Sequence, residues 1–190
     1  SEAKHPERII VGHPFNPAYL LPLIEICGGE KTSPEVIEQA REFYKMYDKA
    51  PCVLKKEKNG FIANRLMHAL WREEIALVTE GVCSMADADD AWTFGPGIRL
   101  AAVGPGMNYE LGGGTLGIKG CGIKFGAMTN AVFADISDMK EVPATWPDKS
   151  GEEIIVEKEN MPDVIGHTNE DIAAFRDKLI VDVLKLHHRM

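Results

Sequence analysis

The chain has 190 residues, 45% of them hydrophobic and 26% charged, and carries a net charge of −8. These are the proportions of a globular protein with a core, and the negative balance argues against nucleic acid or an anionic membrane as the main partner, because both reward basic patches. No apolar run approaches the roughly 20 residues that span a bilayer, and the opening "SEAKHPER" holds no apolar signal segment, so a cytoplasmic protein is expected.

In chain order, "RIIVGH" reads as a strand that ends on His13, after which Pro14 and Pro17 stiffen "HPFNP". The arrangement suits holding one imidazole still at a strand's end. "PLIEICGG" is a second strand, closed by Gly28 and Gly29. "SPEVIEQAREFYKMYDK" is a helix with Ser33 as N-cap, Pro34 at its first position and acids in its first turn. "APCVLKK" is a third short strand, so strand, helix and strand follow one another as in a doubly wound α/β sheet.

After Asn59-Gly60 the pattern changes. "FIANRLMHALWREEIALVTEGV" is a long helix in which Ile62, Leu66, Ala69, Leu70, Ala76, Leu77 and Val78 make a broad apolar face. That face is wider than a lone surface helix needs, so part of it is expected to meet another helix or another subunit. "SMADADDAWTFG" is a short helix capped by Ser84 and stopped by Gly95. Between Pro96 and Gly126 glycine is dense, which predicts short helices with tight turns. "DMKEVPATWPDKSGEE" reads as a polar surface connector, and "NEDIAAFRDKLIVDVLKLHHRM" as an amphipathic helix capped by Thr168 or Asn169. The expected fold is mainly α, the end of an α/β sheet in residues 1–58 followed by a helical domain in residues 59–190.

Several chemistries are disfavoured. The four cysteines, Cys27, Cys52, Cys83 and Cys121, are scattered singly and lack paired zinc-ligand spacing, so they read as reduced thiols and no metal is expected. His187 and His188 are adjacent on a helix and diverge, as befits a solvated end. A dinucleotide site would need a G-x-G-x-x-G turn after a first strand. The one glycine-rich candidate, "GPGMNYELGGG", follows no such strand and reads as helix packing.

Three residues fit a different chemistry. His13 ends its strand, and Glu25 is the only charge in "YLLPLIEICGG", where a carboxylate is costly unless paired. Adjacent strands would let the two meet, the carboxylate fixing the imidazole's tautomer. Asn64, one turn into the long helix, can donate to a substrate carbonyl or a developing alkoxide.

"GHPFNP", "PLIEICGG" with its acid twelve positions after the histidine, and "EKNGFIANRLMHALWREEIALVTEG" together resemble the L-3-hydroxyacyl-CoA dehydrogenase superfamily over roughly residues 7 to 105. Within it, "PAYLLPLIEICGGEKT", "ALWREE" and "YELGGGTLGIKG" are closer to the L-carnitine dehydrogenases, and the G-x-G-F-Y ending of many acyl-CoA members is absent. The resemblance implies a Rossmann-type sheet end followed by a helical dehydrogenase domain that binds substrate and dimerises. It makes His13 the general base that takes the 3-hydroxyl proton as hydride leaves for NAD. Glu25 would orient and charge-stabilise His13, Asn64 would hydrogen-bond the substrate near the reacting carbon, and Asn16 would touch the cofactor or brace its loop. The substrate would be L-carnitine or, second, a 3-hydroxyacyl-CoA. Trp71, Trp92, Phe94 and Tyr109 could enclose a quaternary ammonium, and Arg65, Arg72 or Arg99 could receive a carboxylate. The nucleotide-binding half should precede Ser1, so this chain is expected to lack it and to be inactive alone. The rival reading is a non-catalytic helical assembly module.

Overall fold

The computed structural model describes residues 3–189. The chain divides into two compact units, one formed by residues up to Ala69 with those from Ala173 on, the other by Leu70–Ile172.

The first unit is built on a three-stranded sheet, β1 (Ile10–Pro14), β2 (Leu23–Gly28) and β3 (Ala50–Leu54), in that spatial order. β1 runs antiparallel to β2, and β2 parallel to β3 through the crossover helix α1 (Pro34–Met46). The Ser33 hydroxyl caps α1 by accepting from the Val36 amide at 3.3 Å, and Pro34 takes a first-turn position where no amide is needed. Ile24, Glu25, Ile26 and Cys27 are all buried in β2, as befits a central strand covered on both faces. Side chains alternate between those faces. On one, Gly12 and Ile26 are register partners, and a Cβ on Gly12 would collide with the Tyr44 hydroxyl of α1. α1 therefore covers the Gly12–Ile26 face. His13 and Glu25 are register partners on the other.

That second face receives the chain again at the start of α2 (Ala63–Thr79). The lead-in is a turn in which Gly60 (φ 77°) and Phe61 (φ 47°) both take left-handed backbone, closed by the Phe61 amide on Lys58 O at 2.8 Å.

The second unit is helical. α3 (Met85–Trp92) is capped by Ser84 as expected, its hydroxyl accepting from the Asp87 amide at 3.1 Å. A wide turn over Thr93–Gly97, irregular at Gly95, separates it from α4 (Ile98–Ala102). α5 (Pro105–Gly112) and α6 (Gly117–Asp135) pack so closely that a Cβ on Gly113 or Gly120 would strike the opposing backbone. This is the tight helical packing that the glycine density predicts.

The polar stretch expected as a surface connector does not stay a loop. α7 (Trp146–Asn160) begins inside it, with Pro147 in its first turn and Trp146 buried against Ile75 and Val78. Burial of the indole, on the order of 2–3 kcal/mol for an aromatic of that size, outweighs the poor helix propensity of the proline- and glycine-containing segment. Lys149 Nζ donates to Val78 O at 2.5 Å, and Glu153 accepts from the Met85 amide at 3.0 Å, tying α7 to α2 and α3.

α8 (Asn169–Leu186) is capped by Thr168, whose hydroxyl accepts from the Asp171 amide at 3.1 Å while Asp171 accepts from the Thr168 amide at 3.3 Å. Met190, the last residue of that expected helix, lies outside the described residues.

Candidate active site

The antiparallel register places His13 directly opposite Glu25, and their side chains meet: Nδ1 of His13 donates to Oε2 of Glu25 at 3.1 Å. A carboxylate can only accept here, so Nδ1 carries a proton, and in the neutral ring the lone pair lies on Nε2. The His13 side chain is 34% exposed and the Glu25 side chain 1%. The imidazole is reachable and the carboxylate behind it is sealed.

Glu25 is also held from a third direction. Its other oxygen, Oε1, accepts from the Ile62 amide at 2.8 Å and the Ala63 amide at 3.0 Å. Both belong to the amino end of α2, where unpaired amides and the helix dipole favour an anion. Burial is the strongest single influence on Glu25 and favours its protonated form. The Ala63 and Ile62 amides, then His13, together outweigh it and hold the carboxyl below its ordinary range. Glu25 is therefore a fixed negative charge that orients an imidazole. Sequence reasoning paired it with His13 alone; the helix-end amides are an addition from the structure.

Asn64 follows those two amides on α2, and its side chain is half-buried. Its side-chain amide bonds neither His13 nor Glu25, so the structure does not join it to the pair. Asn16 is exposed in the turn beyond β1 and makes no hydrogen bond to the pair. The residue that sequence reasoning missed is Phe61, whose ring meets the His13 ring edge-to-face at a centroid distance of 5.3 Å and an angle of 81°. The two consecutive left-handed residues of "NGF" are what aim it, and Asn59-Gly60 was the only sequence signal of the turn.

A cavity of about 290 Å³ in the first unit is lined by Ile9, Val11, Cys27, Thr32 and Phe61 among others, but by neither His13 nor Glu25. Burial pushes the Cys27 thiol up, so this cysteine offers no ready thiolate. In the second unit, Trp92, Arg99, Tyr109 and Phe125 share the lining of a cavity of about 550 Å³, while Trp71 and Phe94 are not in its wall. Two of the four aromatics considered for a quaternary ammonium, and one of the three arginines, are thus brought together. Arg72 has a buried Nε without a hydrogen-bond partner. Among the described residues no group of His, Cys, Asp and Glu is placed to hold a metal ion, no helix is long and apolar enough to cross a membrane, and the four cysteines are free.

The site is thus an imidazole oriented by a buried carboxylate at the edge of an α/β sheet, with a helix amino end against the carboxylate. Two family models match the chain. The 3-hydroxyacyl-CoA dehydrogenase NAD binding domain matches residues 1–58, and the 3-hydroxyacyl-CoA dehydrogenase C-terminal domain matches residues 60–149. The chain belongs to the 3-hydroxyacyl-CoA dehydrogenase superfamily.

Its similarity to L-carnitine dehydrogenases is broad. The enzyme of Streptomyces griseus is 35% identical over 190 residues, all of this chain and 55% of the relative. That of Oceanobacillus iheyensis is 49% identical over 115 residues, 60% of this chain and 38% of the relative. Among solved structures, 5-formyl-3-hydroxy-2-methylpyridine 4-carboxylic acid 5-dehydrogenase, an NAD+ dependent dismutase, superposes with a TM-score of 0.74 at 26% identity, covering 97% of this chain and 57% of the other. The chain spans about half the length, or less, of these proteins. The expectation that it lacks the NAD-binding half holds only in part, because residues 1–58 themselves match the NAD binding domain.

Proposed function

We propose that this chain is the sheet end and the substrate-binding, dimerising portion of an NAD-dependent 3-hydroxy-acid dehydrogenase that oxidises the 3-hydroxyl of L-carnitine to a ketone. The observation that carries the reading is the His13–Glu25 pair, in register across two strands and buttressed by two helix-end amides. The carnitine dehydrogenases it resembles support the substrate. A 3-hydroxyacyl-CoA is the second choice, supported by the names of the two matching family models.

In this reading Nε2 of His13 removes the hydroxyl proton from the substrate. Glu25 selects the neutral tautomer whose lone pair lies on Nε2, and its charge stabilises the imidazolium once the proton arrives. Asn64 donates to the substrate oxygen near the reacting carbon, and Asn16 contacts the cofactor or braces the loop after β1. NAD, when bound, supplies the hydride acceptor. The residues present fit it at its reactive end, where an oriented imidazole is what alcohol oxidation by hydride loss needs. They do not fit its pyrophosphate: in the β2–α1 connection the Thr32 hydroxyl donates to Ile9 O at 2.5 Å and Ser33 caps the helix, so those polar groups are already engaged.

We read the family-based boundary between the two portions at residues 58 and 59. A homodimer is the proposed assembly, supported by the exposed Ile118, Ile123, Met128, Val132 and Phe133 of α6. A cytoplasmic location accords with four free cysteines. The test is NAD reduction by the intact protein with L-carnitine and with a short 3-hydroxyacyl-CoA, in wild type and in His13→Ala. Carnitine-dependent turnover that falls by about 10²–10⁴-fold in the variant supports the reading. Turnover with the CoA ester alone reverses the substrate order, and unchanged turnover in His13→Ala removes the mechanism.

A further inference from the structure

We infer that Phe61 is a positioning residue for the His13 imidazole, an inference that rests on the reading of His13 as the base. Three observations meet at this side chain. Its backbone is left-handed at φ 47°, directly after Gly60, which is left-handed at φ 77°. A phenylalanine gains nothing from that conformation, which disfavours any side chain and which glycine holds freely. An outlier of this kind persists where the surroundings fix it and where it serves a purpose.

The purpose is visible on both sides of the residue. On one, the aromatic ring stands edge-to-face against the His13 ring, with centroids 5.3 Å apart and planes at 81°, inside the range of favourable aromatic pairs. On the other, the next two amides, Ile62 and Ala63, are those that bind Glu25. The turn is locked by the Phe61 amide on Lys58 O at 2.8 Å and the Arg65 amide on Gly60 O at 3.1 Å. One tight turn thus sets the carboxylate and braces the imidazole that the carboxylate orients.

The brace is needed because a single hydrogen bond does not fix an imidazole. The torsion that spins the ring is broad and roughly two-fold, and His13 is partly open to solvent. The bond to Glu25 chooses which nitrogen faces the acid, and the Phe61 ring restricts the plane in which the other nitrogen points. Without the ring, Nε2 still carries a lone pair but spends less time aimed at the substrate proton.

The experiment uses the intact protein with ¹⁵N-labelled histidine. Long-range ¹H–¹⁵N correlation spectra report the tautomer and exchange broadening of His13, and kcat and KM for the 3-hydroxy substrate are measured alongside. Wild type should show one sharp Nδ1–H tautomer. Phe61→Leu, which keeps bulk without a ring, should broaden or mix the His13 signals and lower kcat by about ten- to a hundredfold while KM moves little. Phe61→Tyr should restore both. Should Phe61→Leu fail to fold, Phe61→Gly, which suits the left-handed backbone, takes its place with the same expectation. A folded ringless variant with a single sharp tautomer and wild-type kcat overturns the inference. If His13→Ala keeps wild-type turnover, the base assignment fails and positioning for catalysis falls with it, whereas the spectra still show whether the ring holds the imidazole.

Discussion

Two carboxylates, one in each unit, are taken out of water and end in opposite states. Glu25 in the first unit is fully buried and yet held as an anion below its ordinary range, because three donors converge on it after burial has pushed the other way. Glu157 of α7 in the second unit is only half-buried and yet is raised to about 7, by burial first and then by Asp89, Asp90 and Glu74, every one an acid. Asp89 and Glu157 influence each other's titration directly, as neighbouring acids do. Burial raises Asp89 as well, so the two acids titrate as a coupled pair that keeps a proton to higher pH than an isolated carboxyl would. No donor reaches the buried Oε2 of Glu157. Charge state follows the neighbours rather than the depth: donors make a buried acid an anion, and fellow acids make a shallower one neutral.

The largest expected effect breaks the first half of that contrast. If burial alone governed Glu25, deleting the charge would relieve the sheet. Glu25→Ala is expected instead to destabilise the protein by about 3 kcal/mol, since it strands two helix-end amides and the Nδ1 proton of His13. It should also abolish turnover. Glu25→Gln keeps an acceptor for one side and should lose less stability while losing most activity. Urea unfolding of the two variants against wild type checks the ordering, and a Glu25→Ala as stable as wild type would contradict it.

Much of the first unit was legible before any coordinates. An isolated acid in "YLLPLIEICGG" demanded a partner, His13 ended the neighbouring strand, and pleating did the rest, because register partners share a face. The strands, the Ser33 cap and the Ser84 cap are local chemistry and were readable as such. What escaped was set by contacts distant in sequence. α7 starts at Trp146 because Ile75 and Val78 bury its indole, which no reading of a proline- and charge-rich stretch could supply. Phe61 looked like the first apolar residue of a helix, and only the observed backbone shows that it is the last residue of a turn. The acid cluster joins positions 74, 89 and 157, which share no periodicity.

The second half of the contrast is sharpened by pH. Glu25 has a lowered folded-state pKa, so its contribution is present above its ordinary value of 4.5 and is lost as pH falls below it. Glu157 has a raised one: between 4.5 and about 7 the folded protein holds a proton that the unfolded chain has released. Stability from this group therefore declines as pH rises through that interval and is flat above it. The melting temperature should pass through a maximum near the lower end of the interval rather than at neutrality, which scans from pH 4 to pH 8 would show.

The smallest effect isolates Glu157. Glutamine copies its protonated form and can donate to Asp89, so Glu157→Gln is expected to change nothing near pH 5, where the native residue already holds its proton. At pH 8 the native protein places a third charge beside Asp89 and Glu74, and the variant does not. There Glu157→Gln should be more stable by about 1 kcal/mol, an amount that allows for solvent screening of a half-exposed group. The difference between wild type and variant, plotted against pH, traces the titration of Glu157 itself. A variant that is equally stable at pH 5 and pH 8 relative to wild type would mean that Glu157 is already ionised across the range. The two carboxylates would then differ in depth alone.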